Sequence, residues 1–72
     1  MNLAIAPLGV SMKITKIRIK GDQKIQLANM GFVEDALISV VSSTNGNTIV
    51  NIKGSRVGIG TDLATKIMVM PV

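Results

Sequence analysis

The chain has 72 residues, 47% of them hydrophobic, which is enough for one small domain and too few for two domains with separate cores. Eight Lys and Arg against four carboxylates give a net charge of +4, a balance that suits an acidic or phosphate-rich partner. There is no Cys and no His, which excludes disulfides, thiolate nucleophiles, iron–sulfur and Cys-based zinc sites, and any imidazole base or ligand.

Val and Ile make up more than half of the hydrophobic residues, while Phe32 is the single aromatic. That bias favours strands over helices and excludes a disordered chain. Leu3-Ala4-Ile5-Ala6-Pro7-Leu8-Gly9-Val10 is apolar, but it is far shorter than a membrane span and lacks a preceding positive charge. We read it as a first core segment broken by a Pro7-Leu8-Gly9 turn, and a cytoplasmic location is the expectation.

The alternation Met12-Lys13-Ile14-Thr15-Lys16-Ile17-Arg18-Ile19-Lys20 predicts a first strand over residues 12–19. On it Lys16, Arg18 and Lys20 share a face opposite Ile17 and Ile19. The bland reading of that face is simple solvation, and the sharper one is contact with an acidic surface. Asp22 is placed to cap a short helix over residues 23–30, closed by Gly31 in the left-handed conformation. Leu27 with Met30 and Ile25 with Ala28 supply two apolar edges, so the helix must pack on a sheet to persist. Met30 and Phe32 read more readily as core than as contact residues.

Glu34-Asp35 reads as a turn before a second strand over residues 37–43. A third strand follows over residues 48–53, with Asn45-Gly46 between them as the signature of a type I′ hairpin turn. Gly54-Ser55 makes the next corner, and Arg56-Val57-Gly58-Ile59 forms a short strand whose internal Gly marks a bulge or a close backbone approach. Thr61 is placed to cap one helical turn through Lys66, and residues 67–70 form the last strand, ended by Pro71. The pattern is mainly β: a small, SH3-like five-stranded barrel with one short α-helix after the first strand and a single helical turn before the last. An incompletely closed barrel would leave an edge for a partner or a second copy.

In their order and spacing these residues resemble the FeoA family of small SH3-like proteins of bacterial ferrous iron transport. The resemblance runs from Leu3 and Gly9 through Ile14-Thr15-Lys16-Ile17. It is most specific in Leu27-Ala28-Asn29-Met30-Gly31-Phe32, and it continues through Ile38-Ser39-Val40, Ile49-Val50-Asn51-Ile52, Gly54-Ser55-Arg56-Val57-Gly58-Ile59, Ala64 and Ile67-Met68-Val69. The resemblance implies that residues 1–72 form one FeoA-like domain. Two departures stand out. Glu34-Asp35 replaces the Pro-Gly common in the family, so Asp35 is expected to take the backbone geometry of the usual Gly. Ser43-Thr44-Asn45-Gly46-Asn47 replaces a longer loop.

The resemblance implies a non-catalytic, cytosolic accessory protein of ferrous iron uptake, acting by contact with FeoB, the membrane transporter with a cytosolic GTP-binding domain. The chain itself has no Gly-x-x-x-x-Gly-Lys-Ser/Thr loop. Lys20, Lys24 and Arg56 are the candidate cationic contacts and Met30 the candidate apolar anchor. No catalytic, cofactor or metal-ligating residue is assigned. Glu34-Asp35 reads as a solvated turn and Met68 with Met70 as packing. The alternative classes are a basic nucleic-acid-binding barrel, against which the single aromatic weighs, and a regulatory module of the kind found at the end of iron-dependent repressors.

Overall fold

All five expected strands form, with boundaries displaced by no more than two residues. In the computed structural model, which describes residues 1–72, they are β1 (Met12–Ile17), β2 (Leu37–Thr44), β3 (Asn47–Ile52), β4 (Ser55–Gly60) and β5 (Ile67–Pro71). Helix α1 (Asp22–Asn29) lies between β1 and β2, and the single turn α2 (Thr61–Ala64) lies between β4 and β5. The sheet is antiparallel in the order β4-β3-β2-β1-β5. β2, β3 and β4 form a meander, and β5 returns to the far side of β1. No ladder joins β4 to β5; near that seam α2 packs on β4, β3 and a 3-10 turn at Leu3–Ile5.

Two bulges bend the sheet. Ile14 pairs with Val69 and Lys16 with Met68, so Thr15 is an extra residue on β1; Val41 is the extra residue on β2, between the pairs Val40–Val50 and Ser42–Ile49. An added residue reverses which side chains face inward beyond it. Met12 and Ile14 are buried before the bulge of β1, and Ile17 and Ile19 after it. Strict alternation from Met12 would have sent Lys16 and Arg18 into the core. These inward residues join one sixteen-residue apolar cluster with Phe32, Val50 and Val69.

Helix α1 ends as its sequence predicts and starts differently. Gly31 has φ 101° and donates its amide to Ala28 O at 3.0 Å, while Phe32 N donates to Leu27 O at 2.9 Å. These paired bonds are a Schellman closure, with Leu27 and Phe32 as its buried apolar contact. At the other end the cap is Gly21, with φ 73° and no side-chain hydrogen bond, and Asp22 is the first helical residue. The reversal at Gly21 starts the helix one residue early, so Asp22 acts by its charge at the positive end of the helix. Similarly, α2 is preceded by Gly60, not capped by Thr61, and it ends at Ala64, short of Lys66. Leu27 is the one buried residue of α1; the expected second edge, Ile25 and Ala28, is exposed.

The turns redistribute the left-handed residues. Gly46 has φ 86° but Asn45 stays outside the left-handed region, so the β2–β3 turn is not the expected type I′. Positive φ at both central residues occurs instead at Lys53 (51°) and Gly54 (76°), between β3 and β4. The β3–β4 register is unbroken, and a two-residue turn with positive φ at both central residues matches the twist of the strands it joins. Asp35 has φ 72°, the geometry expected of the residue replacing a Gly. Gly58 marks a close approach, not a bulge: a Cβ there would lie 3.1 Å from Ile49 Cδ1.

The opening segment is only half core. Leu3 and Ala6 are buried, whereas Ile5 and Leu8 are exposed. Asn2 bridges Met68, Val69 N donates to Met1 O at 2.8 Å, and Asn2 Oδ1 accepts from Ala4 N at 3.0 Å. Residues 1–2 therefore cover the outer edge of β5.

Candidate functional site

The bulge at Thr15 sets up a surface that gathers four of the eight cations of the chain. Beyond it the chain leaves the ladder at Ile17, is held by Arg18 N donating to Lys66 O at 2.8 Å, and turns at Gly21 into α1. The concave path between strand end and helix start is a groove of about 370 Å³ lined by Lys16, Ile17, Arg18, Ile19, Lys20 and Lys24. Ile17 and Ile19 are buried beneath it, and the four cationic residues are exposed.

These cations have no carboxylate within salt-bridge distance. The one ion pair in the structure lies elsewhere, between Lys13 Nζ and Asp35 Oδ1 at 3.9 Å. Four like charges so placed repel one another and project a positive field over a low-dielectric floor. Such a surface can attract and orient an anionic group.

Of the residues singled out from sequence, Lys20 and Lys24 come together in this groove, joined by Lys16 and Arg18. The Lys-x-Arg-x-Lys alternation had marked Lys16 and Arg18 as part of a face, but only the turn at Gly21 brings Lys24 to them. Arg56 is exposed on β4, paired in register with Asn51, and does not line the groove. Met30 is also outside it. Contrary to the core reading, Met30 is 42% exposed, because the closure at Gly31 turns Phe32 inward and leaves the preceding residue on the surface. Met68 is half-buried and Met70 exposed on β5.

A second, smaller hollow of about 200 Å³ is lined by Ser11, Ser39, Asn51 and Lys53 among others. It is polar but carries a single charge. Nowhere do three His, Cys, Asp or Glu side chains gather as a metal site would require. No helix is long and apolar enough to cross a membrane.

Comparison with known proteins places the chain in a family. The FeoA domain model matches residues 1–71. A protein of Methanocaldococcus jannaschii named "Putative Fe(2+) transport protein A" is 36% identical over 67 residues, covering 93% of this chain and 82% of that protein. The crystal structure of an iron uptake regulatory protein, FeoA, superposes with a TM-score of 0.88 at 28% identity, over 100% of this chain and 97% of the other. A manganese-dependent transcriptional repressor aligns with a TM-score of 0.86 at 22% identity, over 99% of this chain and 40% of its own; at that identity the likeness is one of fold. With both the sequence match and the superposition extending over the whole domain, the chain belongs to the FeoA family of ferrous iron transport proteins.

Proposed function

We propose that this protein is a non-catalytic, cytoplasmic accessory of ferrous iron transport that works by contact with the cytosolic region of the FeoB transporter. The family match over residues 1–71 carries this reading. The cationic groove supports it: four exposed, unpaired cations beside α1 form a surface suited to docking, and nothing in their arrangement resembles paired acid and base groups. Iron is the transporter's cargo in this scheme. Lys20 and Lys24 act within the groove, and Met30 and Arg56 act as separate contacts on the C-terminal end of α1 and on β4.

A pull-down with the transporter's cytosolic region at low and high salt tests the reading. Retention at low salt that weakens at high salt is the expected result, because exposed charge pairs are screened. Absence of retention at both salts, together with tight, salt-sensitive RNA binding, would replace it with a nucleic-acid role.

A further inference from the structure

Residues 16–24 carry four cations and one carboxylate, Asp22, and Asp22 is not among the residues lining the groove. We propose that the groove formed by Lys16, Arg18, Lys20 and Lys24 is a binding site for an acidic polypeptide segment, one whose Asp or Glu side chains alternate with small or aliphatic residues. This rests on the transporter-contact reading, whose partner chemistry it specifies.

Three observations select that occupant. Charge complementarity is the first: the four cations lack any carboxylate partner within 4 Å, so an incoming carboxylate displaces water and no existing ion pair. The second is spacing: Lys16, Arg18 and Lys20 are exposed at every second position, with Ile17 and Ile19 buried between them. An extended segment with an acidic residue at every second position presents its carboxylates on one face with that same spacing. The third weighs against nucleic acid. Phe32, the single aromatic, is 1% exposed, so the groove has no ring on which a base can stack. A peptide needs no stacking platform.

The test follows amide shifts of the labelled full chain as a short soluble peptide of alternating Glu and Ala is added, with its Lys–Ala counterpart and a single-stranded RNA oligonucleotide as parallel probes. Shifts concentrated in residues 16–25 with the Glu peptide alone are expected. The double variant Lys20→Glu/Lys24→Glu should weaken that binding by about tenfold or more, roughly 1.4 kcal/mol. The charge-matched control Lys13→Glu/Lys53→Glu should retain most of it, and the amide spectrum of each variant reports whether it is folded. Equal weakening by both double variants, or shifts spread over every cationic residue, would overturn the proposal as net-charge attraction only. Tighter binding of the RNA at residues 16–25 would overturn it in favour of nucleic acid.

Adding the transporter's cytosolic region in place of the peptide separates the two readings. If that region binds and shifts β4 while the groove stays silent, the groove proposal falls and the transporter reading stands. If the Glu peptide fills the groove and the transporter region does not bind, the site stands and its assignment to the transporter falls.

Discussion

The β2–β3 hairpin and the arm running from β1 into α1 contrast sharply in how they use their residues. From Ala36 to Ile52 the chain has no charged residue, whereas residues 16–24 hold half of all its cations. The hairpin turns Ile38, Val40, Thr48, Val50 and Ile52 inward and presents Ser43, Thr44, Asn45, Asn47 and Asn51 to solvent. Its ladder runs for most of both strands, interrupted only at Val41. The arm is held unevenly: β1 pairs with β2 at two register positions and with β5 at five, whereas α1 buries one side chain, Leu27. Apolar burial, the main stabilising contribution, is shared, with Met12, Ile14, Ile17, Ile19 and Leu27 of the arm in the core beside the four aliphatic residues of the hairpin, while electrostatic contrast, which governs encounter and specificity, belongs to the exposed face of the arm. Substitutions should therefore separate folding from binding.

The largest effect is expected where the two regions meet. Phe32 closes α1 and enters the common core, and Phe32→Ala should cost about 3–5 kcal/mol, a large share of the stability of so small a domain. Urea unfolding would show the native baseline shortened or lost. A turn of the meander comes next. Gly54 has φ 76° with open space around its Cα, so Gly54→Ala strains the backbone without a clash and should cost about 1–2 kcal/mol. The thermal midpoint of the variant measures it.

In the arm the order of effects reverses. Lys20→Glu/Lys24→Glu should lower retention of the transporter's cytosolic region by about tenfold, while its urea midpoint stays close to that of the parent, since both side chains are exposed. A comparable loss of stability and binding would dissolve the contrast between the regions. The smallest change is a gain. Thr48 on β3 is 1% exposed and its Oγ1 has no hydrogen-bond partner, so Thr48→Val removes a buried, unsatisfied hydroxyl and should stabilise the fold by about 1 kcal/mol. An unchanged or lowered urea midpoint would show that the hydroxyl is satisfied in solution.

Much of this architecture was legible in the sequence because it is encoded locally. Alternating Val and Ile mark the strands, Gly31 marks the end of α1, and the loss of the usual Gly at Asp35 foretells its φ of 72°. Where local signals competed, neighbours decided. Asn45-Gly46 carries the stronger type I′ signature, yet Lys53-Gly54 is the pair that adopts positive φ at both positions, so the dipeptide alone does not set the turn. Met30 and Phe32 looked alike as apolar residues flanking a Gly, and the Schellman closure buried one and exposed the other. The groove was half legible: Lys16, Arg18 and Lys20 are related by alternation, while Lys24 joins them across a chain reversal that no periodicity spans.

Taken alone, the sequence determined the fold class, the order of the elements and a chemistry limited by the absence of Cys and His. These follow from residue types and short-range geometry, which act before distant segments meet. Tertiary structure decided which way each face points and which cations converge. The bulge at Thr15 illustrates the reason: one extra residue exists only relative to the partner strand β5, and it sends Ile17 and Ile19 into the core and leaves Lys16 and Arg18 facing solvent beside Lys24.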